Sequence, residues 1–239
     1  MDIEFNSNNQ ELAQYGILDI YIKNKLRNFY SKNIQKSINP KQQEIIINDW
    51  KKKNSIKSIS ELDNWLSIYK LNFDQWIQLI NSDYSWASWC MNRYKDELLN
   101  YYNSKKIELD MFIYSIIKVS NKELADELYL RIKEKESTFA EIAYKFSEGT
   151  EKYTNGYIGP ISIKNIDTSI SSLLRVGDEN QIWQPKLINK SWNILKLNKI
   201  LHSKFNSQLK LKLALELGDK LLNEKFYEIQ TKNNNKFSS

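Results

Sequence analysis

Apolar residues recur at helical intervals through the first hundred positions of this chain. In "LAQYGILDIYIKNKLRNFYS" (12–31), Leu12, Ile17, Ile20, Leu26 and Phe29 fall at helical spacings, with Tyr15 and Tyr21 beside them. A second helix opens at Asn39-Pro40, with Asn39 as its cap and Pro40 at the first helical position. There the missing N–H has no intrahelical partner to lose. This helix carries Ile45, Ile46, Ile47 and Trp50 before the "KKKN" break. Ser58 starts a third, and Glu61 three residues on completes a capping box. Asn72 caps a fourth, in "NFDQWIQLI", and a fifth spans about residues 82–104, with Trp86, Trp89, Cys90, Tyr94 and Leu98. Tryptophans at these spacings read as core rather than as a platform for stacking bases.

After "KKIELD" the period shortens. "MFIYSIIKV" (111–119) is apolar and β-branched, and predicts a buried strand. "NKELADELYLRIKEKES" and "TFAEIAYKFSE" predict two amphipathic helices, and "SWNILKL" (191–197) a second strand. Between helix and strand lies "SEGTEKYTNGYIGPI" (147–161), holding Gly149, Gly156, Gly159 and Pro160. Its glycines suit positive φ or a close approach to a neighbouring backbone. Asn155-Gly156 also reads as a plain hairpin turn. From Leu201 to about Gln230 the chain returns to helix, with one apolar face too large to stand free. "TKNNNKFSS" is a polar tail.

Composition adds limits. Thirteen per cent aromatic residues are ample for a folded core, and the chain can bury one good core or two small ones. The net charge of +6 sits partly in residues 21–57, where ten Lys/Arg face only Glu44 and Asp49. That region reads as a solvated helical surface, and no motif supports a nucleic-acid partner. The lone Cys90 excludes an internal disulfide and reads as a buried structural thiol. No apolar run approaches the roughly 18 residues of a membrane span, and the first residues lack the features of a signal peptide. A cytoplasmic protein is the expectation. No nucleotide-binding fingerprint or P-loop is present, and neither cofactor nor metal is expected.

The order of strand, "LADELYLRIKE", "FAEIAYKFSEG", "NGYIG" and "SWNILKL" resembles the parvulin (rotamase) family of peptidyl-prolyl isomerases. The resemblance covers about residues 109–198. The flanking helices are similar to those of bacterial parvulin-type foldases, in which they form a chaperone-like module. The resemblance implies an α+β chain: a helical module over residues 11–107, a parvulin-like domain over 108–199, and a helix over 200–231 that packs back on the module. Residues 1–10 and 232–239 are expected to be disordered ends.

Prolyl isomerisation needs no nucleophile and no metal. Its barrier of about 20 kcal/mol comes from amide resonance, and catalysis consists of binding the twisted amide better than the planar one. The family pattern implies a histidine on each of the two strands, which falls here at Ser115 and Asn193. Its Cys or Asp becomes Gly149 and its Thr becomes Ile188, so all four polar positions differ. The family's pocket Met and Phe fall at Ile166 and Ile170, which keeps the pocket apolar. Trp192 either walls the groove or belongs to the core. Ser115 and Asn193 are expected to be able to hydrogen-bond to one another or to a peptide. The one histidine, His202, lies outside the module and reads as incidental. The resemblance therefore implies a foldase that binds unfolded or proline-containing polypeptide with weak or lost isomerase activity. A non-catalytic peptide-binding chaperone or adaptor is the alternative from a different class, and a basic nucleic-acid-binding protein acting through residues 21–57 is a further alternative.

Overall fold

In the computed structural model, which describes residues 7–237, the chain forms two units. One comprises the residues up to 99 together with those from 206 on, and the other comprises residues 100–205. The elements in chain order are α1 (Ser7–Gln14), α2 (Leu18–Lys36), α3 (Pro40–Lys53), α4 (Ile59–Tyr69), α5 (Phe73–Tyr94) and α6 (Leu98–Leu109). They continue with β1 (Met111–Val119), α7 (Lys122–Lys133), α8 (Phe139–Phe146), β2 (Tyr157–Ser162), α9 (Thr168–Val176), β3 (Ile182–Ile188), β4 (Ser191–Leu201) and α10 (Ser207–Phe237).

The caps read from sequence set three helix starts. The Asn39 side chain accepts from the Gln42 amide at 2.9 Å, and Ser58–Glu61 and Asn72–Gln75 form reciprocal capping boxes. Two boundaries differ from expectation. The first helix is broken at Tyr15-Gly16, where Gly16 takes a φ of 69° that suits a residue just past a helix end. The expected fourth and fifth helices join into the single α5, and the chain breaks later, between Tyr94 and Leu98. At the ends, α1 already begins at Ser7 and α10 continues to Phe237, so helix reaches into both segments expected to be disordered. Residues 1–6 and 238–239 lie outside the described residues.

In the helical unit, α2 and α10 pack on α5. Ile22 and Leu26 of α2, Trp86 and Cys90 of α5, and Leu213, Leu222 and Phe226 of α10 are buried. Burial, with the Asp219 charge adding to it, pushes the Cys90 thiol up to about 12. This is the chemistry of an inert core thiol.

The second unit is built on a four-stranded antiparallel sheet in the order β2-β1-β4-β3. The two strands read from sequence are its central pair. Helices α7 and α8 cover one face through Leu128, Ile132, Phe139 and Ile142, which meet Ile117 and Ile194. Helix α9 covers the other through Ile170 and Leu174, which meet Ile116, Leu195 and Leu197. The fold is α+β, as the sequence implies. Strand β4 runs on to Leu201, and α10 begins only at Ser207.

The glycine-rich segment is not a hairpin. Thr150–Thr154 form a 3-10 turn that leads into β2 through Asn155, in the left-handed region, and Gly156, at φ 81°. A Cβ on Gly156 would stand 2.8 Å from the Ile116 carbonyl oxygen and 2.9 Å from the Ala143 Cβ. Gly156→Ala combines backbone strain with a clash, and should destabilise the sheet unit by roughly 2–3 kcal/mol. Denaturant unfolding followed at Trp183 and Trp192 measures it. An unchanged midpoint would contradict the assignment.

Candidate functional site

Strands β1 and β4 pair with Ile116 opposite Leu195, Ile117 opposite Ile194 and Lys118 opposite Asn193. Side chains alternate between the faces of a sheet. Tyr114, Ile116 and Lys118 therefore share a face with Asn193, Leu195 and Leu197, under α9. Ser115, Ile117, Trp192, Ile194 and Lys196 lie on the other face, under α7 and α8. Ser115 and Asn193 cannot meet. The hydrogen bond expected between them is excluded by register, since a step of one residue along a strand changes the face.

Ser115 is buried, and its Oγ accepts from Asn198 Nδ2 at 2.8 Å. It lines a cavity of about 480 Å³ with Phe139, Tyr157 and Lys196, on the face away from Asn193. Trp192 packs with the α7–α8 core, and Lys122 Nζ lies 5.6 Å from its ring centroid. Trp192 is partly buried, on the face away from Asn193.

On the α9 face, the structure brings together Ile166, Ile170, Ile188 and Asn193. The three isoleucines keep 8, 6 and 9% of their surface exposed. They belong to one buried apolar cluster with Ile116, Leu174, Leu195 and Leu197. Asn193 is buried, and its amide donates to the carbonyls of Ser191 at 2.7 Å and Ile188 at 3.2 Å. Those bonds close the β3–β4 hairpin, whose turn residues Asn189 and Lys190 both take positive φ. The donor expected to face a peptide is committed to the turn. Asp167 caps α9 through the amides of Ser169 and Ile170, and accepts from Asn189 Nδ2 at 3.1 Å. The Asn189 bond, followed by the Ser169 amide, holds its carboxyl below the ordinary range.

Gly149 opens the 3-10 turn, and a Cβ there would collide with the Glu151 carboxylate. That carboxylate is buried. It accepts from Ser147 Oγ at 2.5 Å and lies 3.5 Å from Lys118 Nζ. An acidic side chain thus fills the space left at residue 149, although it comes from two positions later. Glu151 is a buried acid that sequence reasoning missed. Nothing in "GTEKYTNG" distinguishes it from a surface acid.

His202 lies outside the site. Its Nδ1 is 2.7 Å from Asp110 Oδ2, and Asp110 also accepts from the Ser203 amide at 2.8 Å, the Ser203 hydroxyl at 2.9 Å and Lys106 Nζ at 3.2 Å. This knot joins the start of β1 to the segment leaving β4. Among the described residues no group of three His, Cys, Asp or Glu is placed to hold a metal, and no helix is long and apolar enough to cross a membrane.

Residues 117–199 match the family described as "Rotamase: PPIC-type PPIASE domain". Similar solved structures include the peptidylprolyl isomerase PrsA of Bacillus cereus, at 13% identity over 99% of this chain and 92% of that one, with a TM-score of 0.47. PrsA of Bacillus anthracis shows 16% identity over 87% and 94%, with a TM-score of 0.40. A Campylobacter jejuni structure, from a description of PEB4 and the periplasmic protein Cj1289 as SurA-like chaperones, shows 15% identity over 89% and 91%, with a TM-score of 0.40. No curated protein matches the chain.

Proposed function

We propose, taking as premise that residues 117–199 are a parvulin-type (PPIC-type) rotamase domain, that this chain is a foldase-class protein that binds proline-containing or unfolded polypeptide and isomerises it weakly or not at all. The observation that carries this reading is the split within the site. Ile166 and Ile170, at the family's pocket positions, belong to one buried apolar cluster on the α9 face. The four polar positions around them are lost: one to the far face at Ser115, one to a hairpin at Asn193, one to a glycine at 149 and one to an isoleucine at 188. Burial of a proline ring follows apolar area, so binding survives such losses better than rate does. Twisting the amide needs polar groups that favour the twisted state over the planar one, and those are depleted.

The non-catalytic chaperone reading is favoured by the same commitment of Asn193 to its turn. A chemically unfolded client protein whose refolding is limited by prolyl isomerisation separates the two. The weak-foldase reading predicts that equimolar chain suppresses aggregation and slightly accelerates the slow refolding phase. Suppression without any acceleration would mean that the isomerase activity is lost, and no suppression would remove both readings.

A further inference from the structure

The cavity of about 480 Å³ on the α8 side of the sheet lies on the face away from Asn193 and from the α9 cluster. Strand register builds its floor. Ser115 of β1 stands opposite Tyr157 of β2 and Lys196 of β4, so the three side chains form one row across three strands. Asn198 lies two residues beyond Lys196, on the same face, and reaches Ser115. Phe139 and Ala140, at the start of α8, line one side.

These groups present more hydrogen-bond donors than they use among themselves. Ser115 is 7% exposed, and its Oγ accepts from Asn198 Nδ2 at 2.8 Å. Its own proton has no acceptor among the described residues. Buried polar groups are ordinarily satisfied, so a spare buried donor that lines a cavity points to a ligand. Lys196 is partly buried and forms no ion pair with a described residue. The Thr138 hydroxyl caps the Glu141 amide of α8 at 3.2 Å, which leaves the Phe139 and Ala140 amides without an intrahelical partner. The Glu141 carboxylate is exposed, is turned onto the Thr138 amide and hydroxyl, and does not line the cavity.

Charge selects among anions. Lys196 is the one charged residue among the described residues that line the cavity. One ammonium surrounded by neutral donors matches a single negative charge, whereas a phosphate monoester, with a charge of about −2, calls for a second cation. The rings of Phe139 and Tyr157 add apolar wall beside these donors.

We propose that this cavity binds a carboxylate carried next to an apolar group, the form presented by a free polypeptide C-terminus or by a small carboxylic acid. Lys196 pairs with the carboxylate, and the Ser115 hydroxyl and the α8 amides donate to it. The site lies across the sheet from Ile166, Ile170 and Asn193, and a negative result here leaves the isomerase reading intact.

The test follows backbone amide NMR signals of the full chain during titration with three probes. They are acetyl-Ala-Ala-Leu with a free carboxylate, the same peptide as its C-terminal amide, and acetyl-leucine. The free acid should give saturable shifts at Ser115, Phe139, Ala140 and Lys196. The amide should bind about 10-fold more weakly, as expected for loss of one charge-assisted hydrogen bond. Lys196→Gln should weaken binding of the free acid by a similar factor, and Lys196→Arg should retain it. The comparison of acid with amide on the parent chain needs no variant to fold. Acetyl-leucine binding as tightly as the tripeptide acid would identify a small acid as the ligand, and tighter binding of the tripeptide a chain end. Equal affinity for acid and amide, shifts confined to other residues, or no saturable shift with any probe would overturn the assignment.

Discussion

Removing residues 206–239 is expected to abolish cooperative unfolding of the helical unit while residues 100–205 stay folded. Helix α10 contributes Leu213, Ala214, Leu222 and Phe226 to the buried core of that unit. It approaches α5 closely at Gly218, where a Cβ would stand 2.5 Å from Cys90 Sγ and 2.7 Å from Trp86 Cζ2. Asp219 pairs with Arg27 at 3.1 Å, and Tyr94 donates to the Leu217 carbonyl at 3.4 Å. Burial of each large apolar side chain stabilises by about 1.5–3 kcal/mol. Loss of the three large ones, together with the new exposure of Trp86, Ile22 and Leu26, removes about as much as the 5–15 kcal/mol stability of a typical domain. Tryptophan emission reports the outcome, since Trp50, Trp65, Trp76, Trp86 and Trp89 lie in the helical unit and Trp183 and Trp192 in the other. A truncated chain that stays soluble and melts at the parent's temperature would contradict the packing described.

Asp110→Ala is expected to cost the sheet unit roughly 3 kcal/mol, a fall in midpoint on the order of 10 °C or more. The carboxylate is 5% exposed and gathers His202, Lys106 and both donors of Ser203. Truncation leaves the Ser203 amide without its acceptor, and releases the segment between β4 and α10. Burial by itself pushes the Asp110 carboxyl up. The hydrogen bonds from His202, Ser203 and Lys106 outweigh burial and hold it below its ordinary 3.8. A depressed carboxyl stabilises the fold at pH values above the unfolded value, and this contribution fades as pH falls from about 4 through the lower folded value. The parent should therefore lose stability more steeply than Asp110→Asn as pH drops below about 4. Parallel pH profiles for the two proteins would show that the knot contributes nothing.

Local signals account for what the sequence made legible. Asn39, Ser58 and Asn72 announce helix starts through side-chain caps that act within three residues, and β1 and β4 announce themselves as apolar β-branched runs. Helix α5 was read as two, one starting in "NFDQWIQLI" and one from about residue 82. Asn81 is in fact buried, and exchanges amide hydrogen bonds of 2.7 and 3.0 Å with Gln43 of α3. A partner 38 residues away leaves no local trace. Strands β2 and β3 carry Pro160 and Pro185 and were missed, because they are the edges of the sheet, where proline is tolerated. Ile166 and Ile170 fall in one buried apolar cluster, and burial tolerates small errors of placement. Ser115 and Asn193 fall on opposite faces, since a shift of one residue exchanges one face of the sheet for the other. Glu151 was invisible because its carboxylate reaches the position of a neighbouring glycine only through the 3-10 turn.

The central proposal is a rotamase-type domain that binds proline-containing peptide and has lost most of its rate. One NMR experiment tests it most directly: magnetisation exchange between the cis and trans signals of a proline peptide, recorded while that peptide is titrated with the full chain. The account predicts shifts that saturate, showing binding, with catalysed exchange far slower than an intact parvulin gives at the same concentration. Saturating shifts with exchange as fast as an intact parvulin's, or no shifts at all, would contradict it.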